Sequence, residues 1–494
     1  MLAATPVGAG QPSWQLASLA PIARVDPRFQ SYNIEMVEVT GGRFWAPYGG
    51  PPDEVYRMRA PIDLASPRLR RIAGLLAPAY LRVSGTWANN TYVPARGERA
   101  AAPPAGFKQV LRRQQWHGLV AFSRAVDAPI VTSFAVSGGT RDAAGLWQPK
   151  QAQRLLDLTR EAGGRLYAAE FFNEPNLPTL ADVPAEYNVA AYARDFAAFH
   201  AWARRAAPAM KIIGPGSVGG AAAQGEVPAN ALGSLDSNAS EAMMFATKGR
   251  VDAISYHFYG TVSQRCAFLK IGTAQKDQAL SPGWLDRTLT DHAYFARLRD
   301  ANEPGKPLWL TETAQAACGG SPWASSFLDT FRYLNQLGLL AQRNVQVVMH
   351  NTLAASDYAL LDPESFEPRP NFWAAVLWRR TMGEVVLAPP GDLPEGVRVY
   401  THCLRGHSGG VALLALNTGA KNVRLPDSGS GMAWVMEASP VDSKTVRING
   451  TIPTIDQQGR AQGLAPQKLG GLLGIPAHAI AFAAIPKAGN PACR

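Results

Sequence analysis

The segment Leu166-Tyr-Ala-Ala-Glu-Phe-Phe-Asn-Glu-Pro-Asn176 decides how this sequence is interpreted. Its apolar first half is long enough for one buried strand, and its second half ends in polar residues around a proline. Seven similar segments, each apolar, β-branched or aromatic, occur along the first 383 residues, and every interval between them has room for a helix. The eight predicted strands cover residues 33–37, 79–84, 129–134, 166–172, 211–214, 252–258, 307–313 and 345–350.

Helical patterns fill the intervals between these strands. Ser66 and Pro67 provide an N-cap and a first-turn proline, and apolar residues follow at helical spacing, beginning with Leu69 and Ile72. Further helices are predicted over residues 149–162, 185–205, 285–301 and 323–342. Strand and helix alternating eight times predict an α/β fold, the parallel (β/α)8 TIM barrel. A doubly wound open sheet would give a similar pattern and stays open as an alternative.

The pattern changes after Gly383, where short strands are separated by turn residues and no helical period is visible. The predicted strands cover residues 397–404, 411–417, 433–437, 445–448 and 480–485. Asn449-Gly450 is a strong hairpin signal. We predict an all-β sandwich domain, to which the segment around residues 14–25 adds a strand. The predicted organisation is therefore an N-terminal segment that joins the sandwich (1–26), a catalytic barrel (27–383) and the sandwich itself (384–494).

The composition describes a basic globular chain of 494 residues, with 48 Lys and Arg against 38 Asp and Glu and a net charge of +10. This balance favours an anionic partner. The arginine pairs are dispersed, and neither a basic tail nor a nucleic-acid-binding motif is present, so we expect no nucleic acid partner. We also expect no membrane span, because the apolar stretch 469–485 is interrupted by Pro476 and His478 and is typical of two strands and a turn.

The four cysteines are Cys266, Cys318, Cys403 and Cys493. They form no CxxC pair, and the sequence has no HExxH motif, so we expect neither a metal site nor a cofactor. Two disulfides are possible and would be favoured in an exported protein. The first residues lack a basic start and a long apolar run, so we expect a secreted or periplasmic protein whose signal peptide is absent from this sequence. The sequence does not establish the oligomeric state; we expect a monomer.

Two carboxylates carry the candidate chemistry. Glu174 lies at the end of the fourth predicted strand and Glu312 at the end of the seventh, and barrel active sites lie at the carboxyl ends of the strands. Cleavage of a glycosidic bond needs such a pair, because one carboxylic acid protonates the leaving oxygen while one carboxylate attacks the anomeric carbon. Glu170 precedes Glu174 on the same face of the strand, and we expect it to have a supporting role.

Other classes of protein have less support. Gly214-Pro-Gly216-Ser-Val-Gly219 fits the dinucleotide fingerprint, but it follows the fifth strand, and Gly220, Gly225 and Pro228 disfavour the helix that the fingerprint requires. No GxSxG motif indicates a serine hydrolase. A non-catalytic protein that binds uronate polymers is a further alternative, and the presence of both carboxylates argues against it.

The chain resembles glycoside hydrolase family 79, the heparanase and β-glucuronidase family, and in particular a bacterial-type heparanase-like enzyme. Asn173-Glu174-Pro175 also resembles the signature of the large barrel clan of retaining glycosidases. The matching segments run through nearly the whole chain in the family's order: Asp63-Leu-Ala-Ser-Pro-Arg-Leu-Arg70, Pro78-Ala-Tyr-Leu-Arg-Val-Ser-Gly-Thr86, Asn173-Glu-Pro-Asn176, Gly214-Pro215, Tyr256-His-Phe-Tyr259, Trp309-Leu-Thr-Glu-Thr313, Asp357-Tyr358, Asn371-Phe-Trp373 and Val399-Tyr-Thr-His-Cys403.

The resemblance implies a retaining β-glucuronidase that acts on glucuronic acid in anionic polysaccharides or oligosaccharides such as heparan sulfate, without a cofactor. An exo-acting enzyme on small or plant-type glucuronides is the alternative within the family. Glu174 would be the general acid/base and Glu312 the nucleophile. Asn173 would hold the sugar 2-hydroxyl, and His257 and Tyr259 would steer the nucleophile.

The resemblance also implies that Tyr358, with the backbone N–H groups of Gly319 and Gly320, binds the carboxylate of the uronic acid. It implies a disulfide between Cys403 and Cys493. We further predict a disulfide between the two remaining cysteines, because both fall in loops at the catalytic face. The remaining positions expected to line the site are Thr86, Glu35 and Asn351.

Three features depart from the family's pattern. Ala317 and Cys318 stand where animal heparanases carry Tyr and Gly, and Glu35 stands in place of an Asp. The basic clusters that hold heparan chains in the animal enzymes are not recognisable. These departures concern the polymer substrate more than the catalytic residues.

Overall fold

We analysed a computed structural model of the chain, which describes residues 14–51, 54–219, 239–426 and 428–494. Eight parallel strands close into a barrel in which each strand pairs with the next along the chain and the last pairs with the first. The barrel strands are Gln30–Glu35, Leu81–Ser84, Ile130–Thr132, Leu166–Ala169, Lys211–Val218, Ala253–Tyr259, Leu308–Ala314 and Val345–His350. The predicted TIM barrel is confirmed, and the open-sheet alternative is wrong.

Helices surround the barrel and connect its strands. They are Met36–Thr40, Pro67–Gly74, Arg113–Ala125, Lys150–Glu161, Val189–Ala206, Ala239–Ala246, Pro282–Leu285, Thr288–Asn302, Phe327–Gln342 and Pro370–Thr381. Short 3-10 helices cover Leu16–Ser18, Thr86–Asn90, Gly138–Thr140, Pro178–Leu180, Gln264–Leu269 and Lys276–Gln278. The N-cap predicted at Ser66 is present, because its side chain accepts a hydrogen bond from the N–H of Leu69.

Three barrel strands, the first, fourth and fifth, differ from the prediction by three or four residues at one end, and the others by two or fewer. The first ends at Glu35 rather than at residue 37, because the N–H of Glu35 donates to the carboxylate of Glu38 at 2.7 Å and a short helix begins at Met36. The fourth ends at Ala169. The fifth continues to Val218 and bulges around Gly216, so the glycine-rich segment that matched a dinucleotide fingerprint lies at the end of a barrel strand.

An antiparallel sheet forms the second part of the molecule and confirms the predicted β-sandwich region. Its strands are Pro21–Arg24, Met382–Leu387, Val397–Leu404, Val411–Asn417, Ser430–Glu437, Arg447–Ile448, Gln467–Gly470 and Ala479–Ile485. Four small two-stranded sheets accompany the two parts, formed by Val423–Leu425 with Leu473–Ile475, Thr454–Ile455 with Ala461–Gln462, Gly42–Trp45 with Tyr56–Arg59, and Thr91–Tyr92 with Gln109–Val110.

Both ends of the chain contribute to this sheet. Pro21–Arg24 pairs with Met382–Leu387, a strand that the sequence pattern did not reveal and that runs across residue 383, where the barrel was expected to end. Asn449 and Gly450 both have positive φ, and Ile448 pairs with Thr451 across them, as a tight hairpin turn requires.

The sheet packs against the barrel helix that follows the strand carrying Glu312. A Cβ at Gly338 in this helix would lie 2.3 Å from the ring of Tyr400, so glycine permits the close approach of helix and sheet. The hydroxyl of Tyr400 donates to Asn335 at 2.6 Å, and Arg398 forms an ion pair with Asp286. The sheet therefore supports the back of the catalytic half of the barrel. Within the described residues, no helix combines the length and the apolar character needed to cross a membrane.

Candidate active site

The two carboxylates singled out in the sequence lie together at the carboxyl end of the barrel. Glu174, His257 and Glu312 each present one atom, and these atoms all lie within 4.8 Å of one another. The side chains of Glu174 and Glu312 are 12% and 7% exposed. Glu174 has a φ of 51°, so the chain turns sharply after the fourth strand. The site contains a pair of almost fully buried acids.

Arg82, on the second barrel strand, lies at the centre of the site. Its guanidinium donates to the carboxylate of Glu312 at 2.7 Å and to that of Glu170 at 2.8 Å. It also donates to the side-chain oxygen of Asn173 at 2.9 Å and lies 3.1 Å from Nε2 of His257. Such a buried cation is tolerated only with several anionic or accepting partners, and here it holds the carboxylates in a fixed arrangement.

Glu170, for which we expected a supporting role, is buried beside Arg82. Its carboxylate accepts hydrogen bonds from Arg82 and, at 2.7 Å, from the hydroxyl of Thr311. Burial raises its pKa, but Arg82 and His257 outweigh burial and hold the pKa well below its ordinary value. A Cβ at Gly216 would lie 3.0 Å from this carboxyl group, so the glycine in the fifth strand provides the space for Glu170.

The environment separates the pKa values of the two candidate catalytic acids. Burial raises the pKa of Glu174, and the nearby charge of Glu312 raises it further. Burial also acts on Glu312, but the charges of His257 and Arg82 outweigh it and lower the pKa of Glu312 below its ordinary value. The two pKa values are therefore shifted in opposite directions, which favours protonation of Glu174 relative to Glu312, the order that acid and nucleophile require.

His257 lies between the two acids. Its Nδ1 is 3.1 Å from Glu174 and 3.8 Å from Glu312. Burial would lower its pKa, but the surrounding carboxylates, Glu312 foremost, raise it to about 9. The three side chains could in principle hold a metal ion. The guanidinium of Arg82 lies within hydrogen-bond distance of both Glu312 and His257, however, and this fixed cation repels a second positive charge, so these residues suit proton transfer better than metal binding.

A second group of residues surrounds the other oxygen of Glu312. The hydroxyl of Tyr259 donates to this oxygen at 2.7 Å. The side-chain amide of Asn351 lies 3.1 Å from the hydroxyl of Tyr259, 3.2 Å from that of Tyr358 and 3.0 Å from the carboxylate of Glu35. The structure therefore brings these four predicted site residues into one hydrogen-bonded chain that ends on Glu312.

Asn173 is fixed from both sides. Its side-chain oxygen accepts from Arg82, and its backbone exchanges two hydrogen bonds with the side chain of Asn89, at 2.9 and 3.0 Å. Thr86 begins the short helix that carries Asn89, and it lines a groove of about 640 Å³ together with Tyr56. Neither Glu174 nor Glu312 lines this groove, so a contact between Thr86 and the substrate stays a prediction.

Gly319 and Gly320 lie beside Tyr358, since a Cβ at Gly320 would be 3.2 Å from the Tyr358 backbone. Both glycines have a φ of 82°. The N–H of Gly320 donates to the carbonyl of Ala316 at 3.1 Å. In this conformation it is not available to a ligand, so the predicted carboxylate-binding group is reduced to Tyr358 and the N–H of Gly319.

The structure contains two disulfides, one between Cys266 and Cys318 in loops at the catalytic face and one between Cys403 and Cys493 in the sheet region. Both disulfides are consistent with a protein that folds in an oxidising compartment.

Two residues of the catalytic face, Arg82 and Arg265, were not identified from the sequence. A charge inside the apolar run Leu81–Ser84 could have indicated Arg82, because an arginine there must be buried and paired.

A closed parallel barrel that presents two adjacent carboxyl groups with opposite pKa shifts at its carboxyl end defines a glycoside hydrolase. Comparison with known proteins agrees. The chain is 27% identical to heparanase from Mus musculus, with 96% of this chain and 92% of the mouse protein aligned. It is 24% identical to hyaluronoglucuronidase from Hirudo nipponia, with 79% and 83% aligned. The chain is therefore a glycoside hydrolase that is similar to heparanases over nearly its whole length.

The solved structures give the same fold. A 4-O-α-L-rhamnosyl-β-D-glucuronidase from Fusarium oxysporum superimposes with a TM-score of 0.61 and 13% identity, covering 96% of this chain and 99% of the fungal one. At this identity the likeness concerns the fold alone. No protein-family model matches the chain.

Proposed function

We propose that this protein is a retaining β-glucuronidase that hydrolyses β-linked glucuronic acid in anionic glycans. The observation that carries the proposal is the pair Glu174 and Glu312, whose nearest atoms lie within 4.8 Å and whose pKa values are shifted in opposite directions. Retaining enzymes hold their carboxyl groups about 5–5.5 Å apart, whereas inverting enzymes need about 6.5–9.5 Å to admit a water molecule.

In the first step, the ionised Glu312 attacks the anomeric carbon while Glu174 gives its proton to the leaving oxygen. The glycosidic bond breaks, and a glycosyl ester forms on Glu312. The negative charge of Glu312 is then gone, so the pKa of Glu174 falls, and this group can act as a base. In the second step Glu174 takes a proton from water, the water attacks the anomeric carbon, and the ester bond to Glu312 breaks. Glu312 leaves as a carboxylate, and the free sugar has its original configuration.

The surrounding residues have supporting roles in this proposal. Tyr259 and Arg82 each donate to one oxygen of Glu312, which keeps it ionised and oriented. The side-chain oxygen of Asn173 accepts a hydrogen bond from Arg82, so the side-chain NH2 group is left to donate to the sugar 2-hydroxyl. Tyr358 and the N–H of Gly319 would bind the substrate carboxylate.

The substrate class is supported by the relatives, which include a heparanase, a hyaluronoglucuronidase and a baicalin β-glucuronidase. The net charge of +10 favours an anionic glycan and predicts that association weakens with salt. We also propose that the protein is exported, in agreement with its two disulfides.

The decisive experiment follows the anomeric proton by NMR during hydrolysis of an aryl β-glucuronide. We expect the β-anomer to appear first and to mutarotate later. A 2-fluoro glucuronyl fluoride should then trap the intermediate and add its mass to the peptide that contains Glu312. First release of the α-anomer would exclude retention, and labelling of another residue would remove Glu312 from the nucleophile role. Binding of the glycan without any turnover would instead identify the non-catalytic alternative.

Product analysis separates the two modes of cleavage. With an unsulfated glucuronate–glucosamine polymer and with heparan sulfate, oligosaccharides that shorten steadily would show internal cleavage. Free glucuronic acid alone would show cleavage from the chain end, the exo-acting alternative.

A further inference from the structure

Arg265 connects four of the loops that surround the site. It follows the sixth barrel strand, and its guanidinium donates to backbone carbonyls of Cys318 and Gly320 after the seventh strand, at 3.2 and 2.7 Å. It also donates to the carbonyl of Ala46 after the first strand and forms an ion pair with Asp357 after the eighth. Both side chains of the ion pair are almost fully buried, at 6% and 10% exposure.

A flat ring completes the binding of this guanidinium, whose carbon lies 3.8 Å above the ring centre of Tyr48. The N–H groups of the guanidinium therefore donate hydrogen bonds, while its flat face stacks on Tyr48. Lysine offers a single point charge with neither feature, so it cannot reproduce these contacts.

The loop that Arg265 holds has an unusual backbone. Cys318, Gly319 and Gly320 follow one another with φ values of 62°, 82° and 82°. The two glycines adopt positive φ readily, but Cys318 has a side chain that disfavours it. The carbonyl of Cys318 is fixed twice, by Arg265 and by the hydroxyl of Ser263 at 2.9 Å.

These contacts determine where one backbone donor points. In a trans peptide the carbonyl and the following N–H point in opposite directions. With the carbonyl of Cys318 held toward Arg265, the N–H of Gly319 points away from it. The N–H of Asp357, on the other loop, donates to the carbonyl of Gly319 at 3.1 Å, and Tyr358 follows directly. Arg265 thus fixes both parts of the proposed carboxylate-binding group.

We infer that Arg265 is a positioning residue for uronate specificity, which acts through the Gly319 N–H and Tyr358 without touching the substrate. The inference rests on the proposed function and extends it. Its consequence is selective: loss of Arg265 should weaken recognition of the C5 carboxylate, while the two catalytic acids keep their geometry, because Arg82 and Tyr259 hold Glu312 and His257 contacts Glu174.

The test compares two inhibitors of the same ring shape, a glucuronic-acid-configured isofagomine and neutral isofagomine, which lacks the carboxylate. Their dissociation constants are measured by calorimetry for the wild-type protein and for Arg265→Lys, with a melting curve for each. We expect Arg265→Lys to weaken binding of the acidic inhibitor by about tenfold or more and to change binding of the neutral one by less than about threefold. The result is expressed as the affinity for the acidic inhibitor divided by the affinity for the neutral one. Asp357→Asn, which keeps the size of the side chain, should also reduce this ratio.

Arg141→Lys is the matched control, because Arg141 forms an equally buried ion pair with Asp195 in a different loop. It should lower the melting temperature and leave the ratio unchanged. An equal loss for both inhibitors in Arg265→Lys, or no loss for either, would overturn the inference. A wild-type protein that binds both inhibitors equally would instead refute the proposed uronate specificity itself.

Discussion

Replacement of Arg82 by Met tests the electrostatic basis of the site. Arg82 donates to Glu312 at 2.7 Å and, with His257, lowers the pKa of Glu312. A hydrogen bond between a charged donor and a buried carboxylate contributes about 1.5–3 kcal/mol. Since about 1.4 kcal/mol corresponds to one pKa unit, loss of this contact should raise the pKa of Glu312 by about one to two units.

Glu312 must be ionised to act, so its pKa sets the acidic limb of the pH dependence of kcat/KM. We expect this limb to move upward by about one to two pH units in Arg82→Met, and stability to fall by about 3–5 kcal/mol, because two buried carboxylates lose their cation. The assay is hydrolysis of an aryl β-glucuronide across the pH range, with unfolding followed in parallel.

Arg141→Met is the control for this experiment, since it removes a comparably buried cation from Asp195. It should cost stability while the acidic limb stays in place. If the limb stays in place in Arg82→Met as well, or moves to lower pH, the reasoning about Glu312 is wrong.

Three further predictions concern single contacts. Glu174→Ala should spare aryl glucuronides with good leaving groups far more than those with poor ones, and equal losses on both in a leaving-group series would remove Glu174 from the acid role. Tyr259→Phe removes a 2.7 Å hydrogen bond to Glu312 and should lower kcat about 10- to 100-fold with little change in melting temperature; an unchanged kcat would exclude its role. Cys403→Ser opens a disulfide that spans 90 residues and should cost about 2–5 kcal/mol in a denaturant titration while kcat stays unchanged, and an unaltered titration midpoint would contradict this.

Much of the fold could be predicted because its signals are local. Most of the eight barrel strands are short apolar runs, and their alternation with helices indicated the barrel. The errors occur where one contact decides the outcome. Met36 and Val37 are apolar and continue the strand pattern, yet the contact between Glu35 and Glu38 starts a helix there. The strand Met382–Leu387 begins directly after the helix that ends at Thr381. No turn residues separate the two, so the sequence pattern did not indicate a new strand.

The acids of the site could be predicted because they stand at the ends of strands, whereas the groups that control them could not. Arg82 and Arg265 act through partners that are far apart in sequence, and the pattern of residues does not reveal such partners. The N–H of Gly320 is a similar case, because its bond to Ala316 depends on the actual course of the loop.

Because Pro21–Arg24 pairs with Met382–Leu387, the barrel is a domain inserted between the first and second strands of the antiparallel sheet. Arg24 and Glu384, which form an ion pair, are 360 residues apart, and nearly the whole barrel lies between them. A chimaera that exchanges one barrel for another therefore needs two junctions, one after residue 25 and one before residue 382. A chimaera with only one junction would leave the antiparallel sheet with an unpaired edge strand, and such strands favour association between sheets of different molecules.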